Sequence, residues 1–404
     1  MLLYFIAFIV LCIISFFCYI RLKYRFWALQ PVFHFYDLYY WFVSVGIIRT
    51  ELPEKNRYTN FQDIITKRVE EIGENDWKHI LTLIQLNYFC EKENKYVPKR
   101  ENVAPYFIGH ASPTYVSYFL ETDFLLDSKT NKSIEEKKII GVITARPLHV
   151  KINCSRKDAQ FDVYYIDYLC VHKSKRKKNI APQLIQTHEY NQSYNNRKIC
   201  VSLFKREEEL TGIIPLTVYK TYCFPLAKMV SATHFLNLDL DVHLLTGDKQ
   251  NMYYFYNFIQ EPSIVNKWSI IVYPEISNII ELVCTNNLLV KMLLTKGNIL
   301  CVYIFRKTCL YIEKDKEVLC LIGSICSNEL TKQRFHNGFY VALMSIIKDN
   351  PHFGYLTIED VSDNTSIINE ICANTHPTAI SPMAYFFYNF AYSPFKSEKC
   401  FIIN

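Results

Sequence analysis

The feature that most restricts the fold of this chain is an uncharged run at its N-terminus. Residues 2–20, LLYFIAFIVLCIISFFCYI, contain no charged side chain. A helix that crosses the hydrocarbon core of a bilayer needs about 20 predominantly apolar residues, so this run predicts one membrane-spanning helix. We assign residues 1–21 to that anchor and expect a folded body to follow from about residue 24.

The alternative to an anchor is a cleaved signal peptide. A signal peptide has a basic residue before its apolar run and small residues at the cleavage site, and this sequence has neither. Positive charge follows the run instead, at Arg21, Lys23 and Arg25. Because flanks rich in Lys and Arg stay in the cytosol, we expect a single-pass membrane protein whose body faces the cytosol.

The remaining composition predicts an ordered body of two halves. The chain has 404 residues, of which half are apolar and 15% aromatic, so there is material for a sizeable core. A chain of this length is ordinarily two domains or one fused pair. The net charge of +6 is mild and does not mark the whole chain as a nucleic-acid binder. Only 10 residues are glycine, so an anion site must use other residues than a glycine-rich loop.

The 14 cysteines do not have the spacing of a metal site or a disulfide framework. They run from Cys12 to Cys400 with no Cys-x-x-Cys pair, and no His-x3-5-His pattern accompanies them. This spacing argues against the usual zinc sites, and we predict no metal. We interpret the cysteines of the body as small buried hydrophobic residues in a reducing compartment.

Hydrophobic periodicity predicts an α/β body with a mixed sheet. In the first half the pattern indicates a helix over 76–90 that Asp76 can cap, two strands within 137–152 joined near Arg146 and Pro147, a strand over 161–171, a helix over 181–194 with Pro182 in its first turn, and a strand over 198–204. In the second half it indicates a helix over 278–294, strands over 298–312 and 318–327, a helix over 338–350, a strand over 355–361 and a closing aromatic strand over 384–392. Both halves therefore have a similar α/β layout.

The densest positive charge lies where the strand over 161–171 meets the helix over 181–194. Five Lys or Arg residues stand between Lys173 and Lys178. A helix N-terminus offers unpaired N–H groups and the positive end of the helix dipole, so it attracts anions. Asn179 is suited to a left-handed turn, and Arg176, Lys177 and Lys178 add charge to a plausible pyrophosphate site. The alternatives at this point are a nuclear-import or nucleic-acid patch and a solvated charge run.

The residues around this turn resemble a known family. The pattern Arg-x-x-Asn-x-Ala is similar to the acyl-CoA loop of the acetyltransferase superfamily, and IDYLCVHK (166–173) strongly resembles the N-myristoyltransferases (glycylpeptide N-tetradecanoyltransferases). In that family a strand ending in Phe-Leu-Cys-Val-His-Lys leads into the acyl-CoA loop. YRFWALQPV (24–32) and YFFYNF (385–390) are similar to the family's N-terminal and C-terminal motifs. The resemblance covers 24–404 in unbroken order.

The resemblance implies a domain plan. After the anchor, residues 22–60 would form an arm that contributes to acyl-CoA binding. Residues 61–230 would form an acetyltransferase-like half that binds acyl-CoA, and 231–404 a second such half that binds the peptide. The co-substrate would be myristoyl-CoA without a further cofactor, and the acceptor a protein or peptide with an N-terminal glycine. We expect a monomer that binds no nucleic acid.

The resemblance also implies site residues. The backbone N–H groups of Tyr168 and Leu169 would polarise the thioester, and the carboxylate of Asn404 would be the base, delivered inward by an apolar tail. Asp167 stands where the family has the Asn that positions the glycine amine. The residues implied for acyl-CoA binding are Arg25, Phe26, Trp27, Leu169, Cys170, Val171, Arg176, Lys177, Lys178, Asn179, Ile180, Ala181 and Pro182.

Departures from the family concentrate on peptide recognition. The family's Tyr-Thr-Ala-Gly stretch aligns near 204–209, its Tyr-Trp-His near 221–223, and its Lys-Phe-Gly-x-Gly-Asp-Gly loop is replaced by THPTAIS (375–381). Three interpretations follow: a membrane-anchored myristoyltransferase, an acyl-CoA-binding module without transferase activity, or an acyltransferase with another acceptor amine.

Overall fold

The body of the protein is built on one long mixed sheet with helices against it. The computed structural model describes residues 1–89, 94–126, 133–154, 158–207, 212–231, 238–313 and 315–404. Its helices are α1 (Leu2–Lys23), α2 (Leu38–Phe42), α3 (Glu74–Asn87), α4 (Arg100–Val103), α5 (Ile180–Asn195), α6 (Leu226–Ser231), α7 (Met252–Gln260), α8 (Pro262–Val265), α9 (Ile276–Cys284), α10 (Lys332–Asp349) and α11 (Asn364–Asn374).

Most strands of both halves belong to one continuous sheet. They are β1 (Gly46–Ile47), β2 (Ile64–Arg68), β3 (Lys95–Tyr96), β4 (Tyr115–Leu126), β5 (Ser133–Ile152), β6 (Ala159–Val171), β7 (Ser202–Glu207), β8 (Thr217–Pro225), β9 (Val242–Thr246), β10 (Ile270–Tyr273), β11 (Leu288–Thr295), β12 (Asn298–Ile312), β13 (Lys316–Cys326), β14 (Phe353–Glu359), β15 (Ala379–Tyr388), β16 (Phe390–Ala391) and β17 (Cys400–Ile402). The order along the main sheet is β17-β10-β5-β6-β7-β15-β8-β14-β13-β12-β11-β9. The expected α/β fold class with a mixed sheet is confirmed.

The two halves share a layout. In the first half β4, β5 and β6 pair antiparallel, α5 follows, and β7 pairs parallel to β6. In the second half β11, β12 and β13 pair antiparallel, α10 follows, and β14 pairs parallel to β13. β15, from the second half, lies between β7 and β8 and joins the two halves into one sheet.

Helix α5 is positioned by close packing on β5. A Cβ atom on Gly141 would lie 2.8 Å from Leu184 Cδ1 and 3.3 Å from Ile180 Cγ2. Such an approach is closer than real Cβ atoms allow, so the absent side chain lets the first turns of α5 settle on the sheet. Ile140, Ile143 and Val171 complete this small buried cluster. The packing fixes the N-terminus of α5 beside the end of β6.

One strand prediction was wrong. The 137–152 segment is not two strands joined near Arg146 and Pro147, because it forms one continuous strand, β5. On one side β4 pairs with β5 as far as Ala145, and β10 takes over from His149. Pro147 falls in the interval between the two partners, where a missing N–H interrupts no ladder on that side.

A second prediction was half right. The expected helix over 278–294 ends as α9 at Cys284, and the rest becomes β11. The chain reverses at Asn286, whose φ of 54° is left-handed. Asparagine tolerates this region better than most residues, so the Asn pair divides two apolar runs that periodicity alone had joined. The helix over 76–90 is confirmed as α3, but Gly73 is its N-cap, and Asp76 lies in its first turn.

The apolar N-terminal run forms a helix that has little contact with the body. α1 has 22 residues, a mean hydropathy of 2.7 over its most apolar window, and 6% of that window is buried. It is long and apolar enough to cross a membrane, and a signal sequence would meet the same criteria.

Candidate active site

The predicted thioester site lies at a β-bulge in β6. The register between β5 and β6 shifts between Val142 and Thr144, and Tyr168 has a left-handed φ of 47°. A bulge bends its strand and takes residues out of the regular ladder. β6 and β7 pair at only three positions, Tyr164–Ile166 with Ser202–Phe204, so the strands separate just before the bulge. The sheet therefore opens where the catalytic backbone groups are predicted.

One of the two predicted oxyanion donors already has an acceptor. The Tyr168 N–H donates to Asp167 Oδ1 at 2.8 Å. The Asp167 carbonyl in turn accepts from the Thr144 hydroxyl at 3.0 Å, which holds the residue at the start of the bulge. Leu169 is 39% exposed. For both N–H groups to bind one oxyanion, the Asp167 carboxylate has to release Tyr168.

The basic turn forms a cleft next to the bulge. The cleft has a volume of about 390 Å³. Asn179 is the N-cap of α5 with φ 61° and ψ 17°, so the predicted left-handed turn is confirmed, and Lys177 is left-handed as well. The residues that line the cleft are Asn87, Tyr88, Leu169, Cys170, Val171, Lys175, Arg176, Lys177, Asn179, Ile180, Ala181 and Pro182.

The basic side chains of this turn make different contacts. Arg176 donates to the carbonyls of Val171 and Asn87, so its guanidinium ties the turn to β6 and α3. Lys175 pairs with Glu121 at 2.6 Å. Lys177 is exposed, and within the described ranges it has no carboxylate at ion-pair distance. Lys177 is thus the lining cation that is best placed for a phosphate.

A larger cavity continues from the cleft into the opened sheet. Its volume is about 910 Å³, and it shares Tyr88, Leu169, Ala181 and Pro182 with the cleft. One side, which we call the apolar lobe, is lined by Phe26, Trp27, Ile143, Ile166, Ile185, His188, Glu189, Ser202, Phe204 and Tyr388. The other side, which we call the polar lobe, is lined by Tyr96, Tyr106, Tyr165, Asp167, Tyr168, Lys205, Arg306, Lys307, Thr308, Cys309 and Asn404.

The C-terminal tail delivers Asn404 to the polar lobe. β17 pairs parallel to β10, and Phe401 stacks on Trp268 with ring centres 5.8 Å apart. Asn404 is 3% exposed, and its main-chain oxygen accepts from Arg306 Nη1 at 3.1 Å. Its side chain accepts from the Tyr385 hydroxyl at 3.2 Å and donates to the Tyr165 oxygen at 2.6 Å. The tail is therefore held by packing and by polar contacts at its last residue.

A buried ionic network supports Asn404. Glu359 is 3% exposed and lies 2.7 Å from Lys205 Nζ and 3.6 Å from Arg306 Nη2, and it accepts from the Tyr219 hydroxyl at 3.0 Å. Burial acts to raise the pKa of Glu359, but Lys205 and then Arg306 favour its charged form and bring the pKa below the usual value. The carboxylate thus stays charged and fixes Arg306 against Asn404.

A second buried acid lies in the apolar lobe. Glu189 is 4% exposed, and its Oε2 accepts from the Ser202 hydroxyl at 3.0 Å. Burial raises the pKa of Glu189 to about 7, which the Ser202 contact only partly opposes. Nδ1 of the neighbouring His188 forms a hydrogen bond of 2.7 Å with the Ser117 hydroxyl. Burial lowers the pKa of His188 to about 3. Neither residue was expected beside the aromatic and aliphatic side chains that make up most of this lobe.

Most of the predicted site residues come together around the cleft and cavity. Phe26 and Trp27 line the apolar lobe, and Asp167, Tyr168 and Asn404 line the polar lobe. Arg25 and Lys178 are exposed and line neither space. In the described part of the chain, no group of three His, Cys, Asp or Glu side chains is arranged to hold a metal.

Several residues of the polar lobe were not predicted. Lys205 and Arg306 interrupt apolar strand patterns, and a charge within such a strand is the signal that could have identified them. Arg146 does not line the cavity, but it was not predicted either: it is 1% exposed, and its guanidinium lies 4.9 Å from the Tyr106 ring centre and 5.1 Å from that of Tyr165, two rings of the polar lobe. The stretch near 204–209 lies only partly in the described residues, whose range ends at Glu207.

The fold of the two halves defines a class of protein. Each half pairs three antiparallel strands, continues into a helix and pairs its third strand with a parallel one, and this repeated layout is a tandem acetyltransferase-like fold. A tandem acetyltransferase-like protein from the clavulanic acid biosynthesis pathway has the same fold, with a TM-score of 0.53 at 8% identity over 82% of this chain and all of that chain.

Three comparisons relate the chain to one family. Residues 65–215 match the family described as myristoyl-CoA:protein N-myristoyltransferase, N-terminal domain. The glycylpeptide N-tetradecanoyltransferase of Plasmodium falciparum is 29% identical over 173 residues, which is 41% of this chain and 38% of that protein. Saccharomyces cerevisiae N-myristoyltransferase with bound myristoyl-CoA superposes with a TM-score of 0.71 at 13% identity over 93% of this chain and 90% of that chain. Residues 65–215 are therefore similar to the N-terminal domain of the N-myristoyltransferase family, the whole chain shares the fold of the yeast enzyme, and the sequence match spans less than half of the curated relatives' length.

Proposed function

We propose that the protein transfers a myristoyl group from myristoyl-CoA to the N-terminal glycine amine of an acceptor protein. One observation carries the proposal: the bulge, the N-terminus of α5 and the buried Asn404 all line one connected space. An acyl-CoA whose phosphates lie at the basic turn has its thioester at Leu169, and its acyl chain extends into the apolar lobe. Asn404 then lies on the acceptor side of the same thioester.

The transfer needs one proton acceptor and one oxyanion site. The neutral glycine amine attacks the thioester carbon, a C–N bond forms, and the C–S bond breaks with CoA leaving as the thiolate. The amine proton passes to the carboxylate of Asn404. The N–H groups of Tyr168 and Leu169 stabilise the oxygen that becomes negative in the tetrahedral intermediate. Positioned proton transfer of this kind contributes roughly 10²–10⁴-fold in rate.

The arrangement also supports the division of labour between the halves. Residues 22–60 and 61–230 supply the bulge, the basic turn and the apolar lobe apart from Tyr388, while 231–404 supplies Tyr388, Arg306, Glu359 and the tail. We propose that the first group binds myristoyl-CoA and the second most of the acceptor. We further propose that the body acts as a monomer on the cytosolic side of a membrane that α1 spans, without nucleic acid or an additional cofactor.

A second candidate is an acyl-CoA-binding module without transferase activity. The observation that favours it is the 2.8 Å contact between Asp167 Oδ1 and the Tyr168 N–H, which occupies a required oxyanion donor. In that case acyl-CoA binds, but the thioester is not activated.

Mass spectrometry of acyl transfer separates the two candidates. The full chain in lipid nanodiscs is given myristoyl-CoA and a panel of peptides that begin with glycine, and binding of the acyl-CoA is measured on the same preparation. The proposal expects a myristoyl mass on the α-amine, and no product with the same peptides carrying an N-acetylated glycine. Demonstrated binding without any acylated peptide would refute the transferase and leave the binding module.

A further inference from the structure

An apolar segment outside α1 lies exposed beside the predicted membrane span. We propose that residues 35–43, FYDLYYWFV, insert into the interface of the phospholipid bilayer that α1 crosses. This segment includes α2, and we call it the membrane-facing segment. Its exposed fractions are 44% for Phe35, 64% for Leu38, 58% for Tyr39, 80% for Phe42 and 72% for Val43.

Ring contacts fix the level of the segment relative to the bilayer. Phe16 lies edge-on to Phe35 at 6.2 Å and to Tyr36 at 6.4 Å, and Phe17 lies edge-on to Tyr36 at 5.9 Å. Phe17 precedes the end of the uncharged run, Ile20, by three residues, which is about 5 Å along a helix. If α1 spans the bilayer, the segment therefore lies at the depth where acyl chains meet headgroups.

The composition of the segment suits this depth. Tyrosine and tryptophan concentrate at membrane interfaces because their rings are apolar and their tips are polar, and short amphipathic elements bury their apolar side about 5–10 Å into this zone. The one carboxylate, Asp37, accepts from the His34 N–H at 2.9 Å. Arg21 and Lys23 in the last turn of α1, and Arg25 just after it, are exposed and can contact lipid phosphates.

A lipid surface explains the exposure better than a protein partner does. A contiguous exposed patch of large apolar side chains is unusual on a soluble protein and marks an interaction surface. Here the patch is continuous with α1, whose residues from Leu2 to Tyr19 are themselves exposed and apolar in nearly every position. One environment, the bilayer, covers both surfaces.

The insertion would bring the mouth of the cavity to the membrane. Phe26 and Trp27 line the apolar lobe and follow the end of α1, Lys23, by only a few residues. Trp27 stacks on Phe204, also in that lobe, at 5.6 Å. This consequence rests on the proposed function: an acylated product would leave the lobe next to lipid.

Quenching of Trp41 by brominated lipid tests the insertion directly. The full chain is reconstituted into phosphatidylcholine vesicles whose acyl chains carry bromine near the headgroup end. Trp41→Phe is compared with wild type, and Trp77→Phe is the matched control because Trp77 is 5% exposed in the core. We expect Trp41→Phe to lose the bromine-dependent quenching that Trp41 contributes, leaving only that of Trp27, and Trp77→Phe to lose none.

Phe42→Asp provides a second variant that retains the fluorophore. We expect it to make Trp41 more accessible to aqueous iodide and less sensitive to bromine. Equal bromine quenching in wild type and Trp41→Phe would overturn the insertion. The insertion would also be overturned if bromine did not quench Trp41 and Trp41 cross-linked to a second copy of the chain. None of these readouts depends on acyl transfer, so the result is separate from that of the transfer assay.

Discussion

Replacement of Glu189 by glutamine is expected to change how the stability of the protein depends on pH. Glu189 is 4% exposed, and burial raises its pKa from the usual 4.5 to about 7. A carboxyl whose folded pKa is raised stabilises the fold fully below the unfolded pKa, and this contribution is lost as the pH rises through the folded pKa. The loss therefore falls between about pH 4.5 and 7.

The size of the effect follows from the difference between the two pKa values. A difference of about 2.5 units corresponds to about 3 kcal/mol of unfolding free energy, at 1.36 kcal/mol for each unit. Glu189→Gln removes the titration but keeps the shape and the Ser202 contact. We expect the variant to gain about 3 kcal/mol relative to wild type between pH 4 and pH 8. His188 stays in both proteins, so its own titration cancels in the comparison.

Denaturant unfolding of the full chain in nanodiscs, repeated at several pH values, measures the difference. Glu70→Gln, which changes an exposed acid, is the matched control and is expected to follow wild type. If wild type and Glu189→Gln lose stability in parallel from pH 4 to pH 8, Glu189 is not a buried acid of this kind.

Three further outcomes follow from the site. Lys177→Glu should weaken acyl-CoA binding roughly ten-fold, about 1.4 kcal/mol, with a smaller difference at high salt. Lys198→Glu, beyond the C-terminal end of α5, should not weaken it, and isothermal titration compares the two variants. Arg306→Met should cost about 2 kcal/mol of unfolding free energy because it removes charge-assisted contacts in a buried network; Arg334→Met, which breaks an exposed pair, should cost at most about 1 kcal/mol. Acyl-CoA affinity should fall as the pH rises above 7, because a bound acyl chain excludes water from Glu189 and so disfavours its charged form. In equilibrium binding measurements, Glu189→Gln should make the affinity less dependent on pH.

The local features of the basic turn were predictable because they depend on neighbouring residues. Asn179 adopts the left-handed conformation that its type favours, and Pro182 lies in the first turn of α5. The motif around Leu169 also identified the strand that carries the bulge. What the motif could not supply is the Asp167 contact to the Tyr168 N–H, because a bulge alone does not determine which acceptor its N–H groups meet.

The errors have physical causes in the tertiary structure. Pro147 was interpreted as the end of a strand. Whether its missing N–H breaks a hydrogen bond depends on which strands pair with β5 at that position, and the sequence does not reveal those partners. The run over 278–294 is apolar enough for either element, and the Asn286–Asn287 pair divides it. The Arg306–Glu359–Lys205 network joins three distant strands, so no local pattern could have predicted its pairing with Asn404.

The central claim is that Asn404 supplies the base for transfer to a glycine amine. The most direct measurement compares wild type with a chain lacking only Asn404, using myristoyl-CoA and a glycine-initiated peptide, with acylated peptide counted by mass spectrometry. Glu398→Gln, an exposed change in the same tail, is the control. We predict α-amine myristoylation by wild type and by the control, and at least a hundred-fold loss without Asn404 while acyl-CoA still binds. Undiminished transfer by the shortened chain would contradict the role of Asn404, and a wild type that binds acyl-CoA but acylates no glycine would contradict the transferase itself.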